Sequence, residues 1–200
     1  TVAVLKDSLI MDSLLTARQQ LPDAFITDTT NTEKLDTLEN EKIKIVFTNK
    51  GGQPKIVEVK DYQKFDGKPV ILENGKFNKL SYKINTGNNQ TANTADIAFI
   101  SSSKKISSDK SQSISYVLKD AAGKEITHQY TMQPNSYMVD FNISMQGADK
   151  WVSQNTINLL WQSEMPQIEK DIAYERQQSH ICYLENGSYD FEYVGSGDDK

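Results

Sequence analysis

The 200-residue sequence holds one cysteine, Cys182, and two histidines, His128 and His180. A single thiol closes no internal disulfide and builds no thiolate zinc site, and it does not define the redox compartment. Apolar residues never run for the roughly 18 positions that a membrane-spanning helix needs. The chain opens at Thr1 rather than Met and shows no signal-peptide pattern, as expected of a processed product or an excised piece. Positive charge is also scarce: 22 Lys and Arg stand against 27 Asp and Glu, for a net charge of −5 and a pI of about 5.1. Clustered cations supply most affinity for phosphate backbones, so a nucleic-acid partner is excluded. What remains is a chain 37% hydrophobic and 24% charged, with 60 Ser, Thr, Asn and Gln residues. Its length fits one domain, with or without a tail, that buries roughly 70% of its unfolded surface and needs no disulfide or metal to hold a core.

Residues 1–38 differ from the rest. Leu5, Leu9 and Leu14/Leu15 recur at roughly helical spacing, Asp7 or Asp12 suits a helix cap, and Pro22 stops the pattern. The stripe is narrow, which reads as a linker partly packed on the domain rather than a partner-binding helix. Phe25 to Thr37, rich in Thr, Asp and Asn, reads as a loop or tether. From Glu39 the period becomes two. Ile43, Ile45 and Phe47 mark a half-buried strand, Asn49-Lys50-Gly51-Gly52 a turn, and Val57 and Val59 the next strand. Asp66-Gly67 turns into Val70–Leu72; Leu80, Tyr82 and Ile84 alternate; Thr86–Thr94 reads as a loop; and Ile97 and Phe99, or Ala98 and Ile100, form a short strand. The clearest hairpin joins Ile114–Leu118 to Ile126–Met132 through Asp120–Lys124. Beyond Pro134-Asn135, the residues Tyr137, Val139, Phe141, Ile143 and Met145 give the longest clean alternation, followed by Ile157, Leu159 and Trp161. Residues 167–178 read as a helical turn or an irregular excursion, and His180–Leu184 with Tyr189–Tyr193 as a hairpin turning at Asn186-Gly187. Ten to twelve short strands, no helix of ten residues after Glu39 and no fixed-period repeat point to an antiparallel sandwich.

The chemical inventory is thin. His180 and Cys182 share a strand face within reach of a Cys–His pair, yet no motif adds an orienting acid or an oxyanion hole. Cys182 therefore reads as a small buried hydrophobe, His180 as an ordinary strand residue, and His128 as a hydrogen-bonded, partly buried one. Glu164 and Glu169 flank Pro166 near Trp161, resembling a glycosidase carboxylate pair beside an aromatic sugar platform, but a solvated surface is the better reading of them. The Asp198-Asp199 end lacks EF-hand spacing, and Lys50-Gly51-Gly52 opens no helix that would make a phosphate loop. Triplets of the N-x-S/T type at Asn89, Asn142 and Asn186 are frequent by chance in so polar a chain. Trp151, Trp161, Tyr174 and Tyr183 are the aromatics to test for a groove, with most of them expected in the core. An extended client can also add to an exposed strand edge through its backbone alone.

Three segments carry a resemblance. Leu38 to Gly52 (LENEKIKIVFTNKGG) followed by Val57–Tyr62 (VEVKDY), Tyr130 to Phe141 (YTMQPNSYMVDF), and Pro166 to Lys170 (PQIEK) are similar, in register, to the large periplasmic domain of the YidC membrane protein insertases of Bacteroides-type bacteria. The amino-terminal DSL-containing tether resembles the linker after that family's first membrane helix. The resemblance implies an all-β fold with little helix, a large antiparallel β-supersandwich related to galactose-mutarotase-like proteins. It implies a linker over 1–38, the β domain over 39–195, and at 196–200 the start of an acidic linker. One membrane helix would precede the domain and five would follow. The implied role is at the periplasmic face of the bacterial inner membrane, where the insertase inserts and folds membrane proteins alone or with the Sec translocon. The domain would contact Sec components and nascent membrane-protein clients. It implies no enzyme activity, no cofactor and no catalytic or metal residue; Gly51, Gly52, Pro134, Tyr137 and Phe141 read as turn and core positions. The alternatives are a carbohydrate-binding or mutarotase-like sandwich and an adhesin-like surface module. For a sugar epimerase, the positioned His and Glu residues do not assemble from His128 and His180, and a shared fold carries no activity.

Overall fold

The computed structural model describes residues 25–26, 32–87 and 90–193. The helical stretch expected within residues 5–18 and the acidic end at 196–200 lie outside the described residues. The described residues form sixteen strands where the patterning predicts ten to twelve, the excess including two-residue strands such as Phe25–Ile26 and Lys105–Ile106. The first eight are β1 (Phe25–Ile26), β2 (Leu35–Glu39), β3 (Ile43–Thr48), β4 (Gln53–Gln63), β5 (Pro69–Asn74), β6 (Lys79–Ser81), β7 (Lys83–Gly87) and β8 (Gln90–Asn93). They continue with β9 (Ile100–Ser101), β10 (Lys105–Ile106), β11 (Gln112–Asp120), β12 (Glu125–Met132), β13 (Val139–Met145), β14 (Leu160–Gln162), β15 (His180–Glu185) and β16 (Ser188–Tyr193). Among the described residues, helix is confined to α1 (Ala148–Trp151), α2 (Ile172–Gln178) and two 3₁₀ turns. The strand pairings described are all antiparallel. The protein is an all-β sandwich, as its patterning implied.

Two sheets make the body. One runs β2-β3-β4-β5; the other runs β1-β11-β12-β13, with β9 and β10 also paired to β11. Alternation aims Ile43, Ile45 and Phe47 of β3 inward, against Ile114, Tyr116 and Leu118 of β11 and Ile126, Tyr130 and Met132 of β12. Phe47 meets the Tyr130 ring at 4.6 Å and the Tyr116 ring at 6.3 Å. Each such side chain contributes about 1.5–3 kcal/mol by leaving water.

Several expectations change. Phe25–Thr37 is not a plain loop: Phe25–Ile26 pairs with Lys119 and Asp120, and β2 begins at Leu35. Leu38 is wholly buried, so burial of one leucine and backbone pairing outweigh a polar composition. The polar stretch 86–94 likewise contains β8, which pairs with β7 and packs Ala92 near the buried Ile84. Ile97 and Phe99 are core residues without being a strand; they leave the 3₁₀ turn Thr94–Asp96, and the strand comes after them as β9. Tyr137 precedes β13 and is exposed, because the chain turns through Asn135 at φ 52° before pairing resumes at Val139.

The Asn49-Lys50-Gly51-Gly52 turn is an interior element rather than a surface one. Asn49 is buried; its N–H donates to the Lys34 carbonyl at 3.1 Å and its Oδ1 accepts from Lys34 N–H at 2.8 Å. Its carbonyl accepts from Phe99 N–H at 2.8 Å. Gly52 sits at φ +54°, where an added Cβ would lie 2.7 Å from Tyr116 Cβ. Only glycine satisfies both the positive φ and the close approach.

Candidate functional site

The residues singled out for chemistry do not converge. His128 is 1% exposed, its Nδ1 3.1 Å from the Gly52 carbonyl and its Nε2 2.8 Å from the Tyr82 hydroxyl. A carbonyl only accepts, so Nδ1 carries the proton and Nε2 accepts from Tyr82. Burial holds this imidazole down at about 4. It is a neutral core strut, more deeply buried than its sequence position implied. His180 packs on Tyr193 at 4.5 Å and Phe191 at 5.1 Å. Cys182 corrects the buried-hydrophobe reading: it is exposed, and its Sγ accepts from the Tyr189 hydroxyl at 3.1 Å. The thiol thus pairs with a tyrosine and not with His180.

The sugar-site geometry is not assembled either. Glu164 lines a groove of about 380 Å³ with Lys64, Lys68, Asn78 and Pro166. Glu169 is not among the lining residues; its N–H donates to the Glu175 carboxylate at 3.2 Å. Trp161 is 70% exposed, and its Nε1 donates to Glu73 at 3.4 Å. Burial raises the Glu73 carboxyl, opposed by hydrogen bonds from Trp161 and Ser163. Among the four aromatics considered for a groove, Trp151 is core, whereas Trp161, Tyr174 and Tyr183 face solvent. Among the described residues, no three His, Cys, Asp or Glu side chains are placed to hold a metal ion.

The best-built surface lies at the end of the sandwich where β12 leaves for the Gln133–Met138 loop. Asn40 is the keystone. Its Nδ2 donates to the Gln133 and Ser136 carbonyls, both at 2.7 Å, and its Oδ1 accepts from Lys42 N–H at 2.8 Å and Ile43 N–H at 2.9 Å. One buried amide therefore ties the loop of one sheet to the strand start of the other. Beside it the Asp61 carboxylate takes Lys42 Nζ at 2.5 Å and the Tyr137 hydroxyl at 2.9 Å. These hydrogen bonds, Lys42 first, hold the Asp61 carboxyl below its ordinary range. Lys42 Nζ also stands 5.7 Å from the Tyr137 ring centre. The Tyr62 ring lies 6.5 Å from that of Tyr137. Tyr62 and Met138 are 60% and 76% exposed. Next to this patch runs a groove of about 450 Å³ lined by Glu39, Asn40, Glu41, Lys60, Ile106 and Pro134. Exposed Tyr and Met on a rigid, mixed-charge frame is the composition of a protein-docking surface. Sequence reasoning missed Asn40, Lys42, Asp61 and Tyr62. The available signal was the Pro134-Asn135 break, which takes Tyr137 out of the inward row.

The model of the YidC periplasmic domain family matches residues 36–197. The chain belongs to the YidC periplasmic domain family. Similar proteins named membrane protein insertase YidC include one from Phocaeicola vulgatus, 32% identical over 154 residues and covering 76% of this chain and 24% of the relative. That of Parabacteroides distasonis is 28% identical over 186 residues, 90% of this chain and 29% of the relative. That of Bacteroides fragilis is 30% identical over 179 residues, 88% of this chain and 28% of the relative. The chain thus spans about a quarter of the length of these relatives. No solved structure matches it. The YidC relationship supports an insertase-associated domain and not the carbohydrate-binding alternative. No helix among the described residues is long and apolar enough to cross a membrane.

Proposed function

We propose that this domain lies on the periplasmic face of the inner membrane as the non-catalytic docking module of a membrane protein insertase. The partners implied by the family resemblance are Sec translocon components and nascent membrane-protein clients. The observation that carries the reading is the Tyr62–Tyr137–Met138 patch on its Asn40-clamped loop, inside a segment that resembles the YidC family. Tyrosine and methionine give a partner large contact areas, and the Lys42–Asp61 pair beside them adds charge for orientation. The carbohydrate reading has no comparable site: of Trp161, Glu164 and Glu169, Glu164 alone is among the residues lining the groove of about 380 Å³.

The test places a photo-crosslinking amino acid in the full-length membrane protein at Met138, with a control at Ala121 in the turn at the opposite end of the β11–β12 hairpin. Crosslinks to a translocon component or a nascent client are expected from position 138 and not from 121. Replacing both His180 and Cys182 by alanine should leave those crosslinks in place. Equal crosslinking from 138 and 121, or none from 138, sinks the assignment of this surface.

A further inference from the structure

The segment between β9 and β11 is a basic hairpin tip on an acidic chain. Residues 102–111 (SSKKISSDKS) hold Lys104, Lys105 and Lys110 against one acid, Asp109, whereas the whole chain carries a net charge of −5. None of the three ammonium groups meets a carboxylate in an ion pair among the described residues. Asp109 is turned back on its own loop, its Oδ1 accepting from Ser111 N–H at 3.0 Å and from Ser111 Oγ at 2.7 Å. Glu39 and Glu41 feel the charges of Lys104 and Lys110, but they are held by Lys60 Nζ at 2.9 Å and by Asn135 N–H at 2.7 Å. Between the lysines stands Ile106, 68% exposed.

The tip is ordered by its own hydrogen bonds. β10 pairs with β11 through Lys105↔Ser113 and Ile106↔Gln112. Ser107 N–H donates to the Ser111 carbonyl and Lys110 N–H to the Ser107 carbonyl, both at 2.9 Å. That turn carries Lys110 at φ 66°, a left-handed position where glycine is unstrained and lysine is not. Of the three other non-glycine residues described with positive φ, two are Asn135 and Asn186, of the type this region suits. Lys110 is not of that type, so a cation stands at the tip against the backbone's preference.

Serine and lysine are depleted in protein–protein interfaces, and a stable interface takes about 20–30 residues a side. This small tip suits a different surface. Lysines around one exposed aliphatic side chain are the composition of a lipid contact, in which cations meet headgroup phosphates and the apolar group enters the acyl boundary. We propose that the Lys104–Lys110 hairpin rests on an anionic phospholipid surface, with Ile106 dipping between the headgroups. This contact presupposes the membrane-face location proposed above and is independent of the Tyr62–Tyr137–Met138 docking surface. The two share one end of the sandwich, since Gln112 beside the hairpin is the register partner of Met132 before the Gln133–Met138 loop. Each lysine is worth about fivefold in partition to anionic lipid. Three of them orient a domain already tethered at a bilayer, where the effective concentration is high, but do not recruit a free one.

Fluorescence quenching on the full-length protein in nanodiscs tests this. A fluorescent amino acid replaces the exposed Ser108 at the tip or, as control, the exposed Ala121 just past the far end of β11, and the discs carry a lipid with a nitroxide headgroup. In discs of equal parts phosphatidylcholine and phosphatidylglycerol, quenching at 108 should be several-fold stronger than at 121. It should fall to the level of 121 in pure phosphatidylcholine, at high salt, and in the combined variant Lys104→Gln, Lys105→Gln, Lys110→Gln. Lys110→Gly, which relieves the backbone while removing one cation, should weaken quenching although the hairpin still resists protease. Quenching retained in full in either variant or in pure phosphatidylcholine, or equal at 108 and 121, overturns the proposal. If lipid leaves position 108 unquenched and an added protein shields it from aqueous iodide, the tip is a protein contact and the lipid assignment is rejected. A chain that does not enter the discs rejects the membrane-face location and this contact together; one that enters with position 108 unquenched rejects this contact alone.

Discussion

At the scale of single residues, the Gly51-Gly52 pair shows how a short motif acquires meaning from what surrounds it. Read alone, two glycines after a strand mean a turn. In the fold, the Gly52 carbonyl accepts from the Tyr130 hydroxyl at 2.9 Å and faces His128 Nδ1 at 3.1 Å, so the turn is a hydrogen-bonded part of the core. Replacing Gly52 by alanine adds the left-handed backbone penalty and a Cβ driven against Tyr116. Together these should cost about 2–4 kcal/mol. Gly67 has φ +79° and nothing within 4 Å of an added Cβ, so Gly67→Ala should cost only about 1 kcal/mol. Urea midpoints of the two variants measure the contrast. Equal destabilisation would contradict the packing argument.

At the scale of elements, the Gln133–Met138 loop depends on a residue remote from it in sequence. Removing the Asn40 amide leaves two loop carbonyls and the Lys42 and Ile43 N–H groups without their partner, for a loss of about 2 kcal/mol or more. Asn40→Ala should therefore speed proteolysis at Pro134–Met138 before the sheets themselves are attacked. Unchanged cleavage of that loop would show that the clamp does not hold it. Elements of this fold were legible where one physical signal dominated. Ile114 to Leu118 with Ile126 to Met132 gave a hairpin because inward apolar residues alternate on both arms. Asn186-Gly187 gave another because both residues take positive φ. Legibility failed where tertiary contacts overrode composition, as at Leu35–Glu39 and Gln90–Asn93. The candidate docking surface was least legible, because its parts, Asn40, Lys42, Asp61 and Tyr137, meet only after two sheets have packed. Cys182 failed for a related reason: its strand alternates as buried strands do, yet β15–β16 has no core beneath it among the described residues.

For the whole molecule, the layer between the two sheets decides how stability varies with pH. His128 stands in that layer, with the Phe99 ring 4.7 Å away, the Phe141 ring edge-on at 5.4 Å, and the Tyr82 hydroxyl and Gly52 carbonyl as its polar partners. The folded protein takes up the imidazole proton only near pH 4, whereas the unfolded chain takes it up near 6.5. Between those values the unfolded state binds more protons, so stability must rise with pH. It is fully present above about 6.5, declines as the pH falls, and levels off below about 4, for a total near 3 kcal/mol. The lowered carboxyls of Glu33, Glu39 and Asp61, each held by a lysine, act in a different window. Their ordinary values lie near 4, so their contribution is lost only below it. The loss of stability as the pH falls from 6.5 to 4.5 therefore comes from His128, with the raised Glu73 carboxyl acting in the opposite sense at the lower end. Urea unfolding across that interval should show a falling midpoint in the parent and a flatter profile in His128→Gln, which has no proton to gain there. A parent midpoint that stays constant from pH 7 to 5 would mean that the imidazole is not held neutral between the sheets.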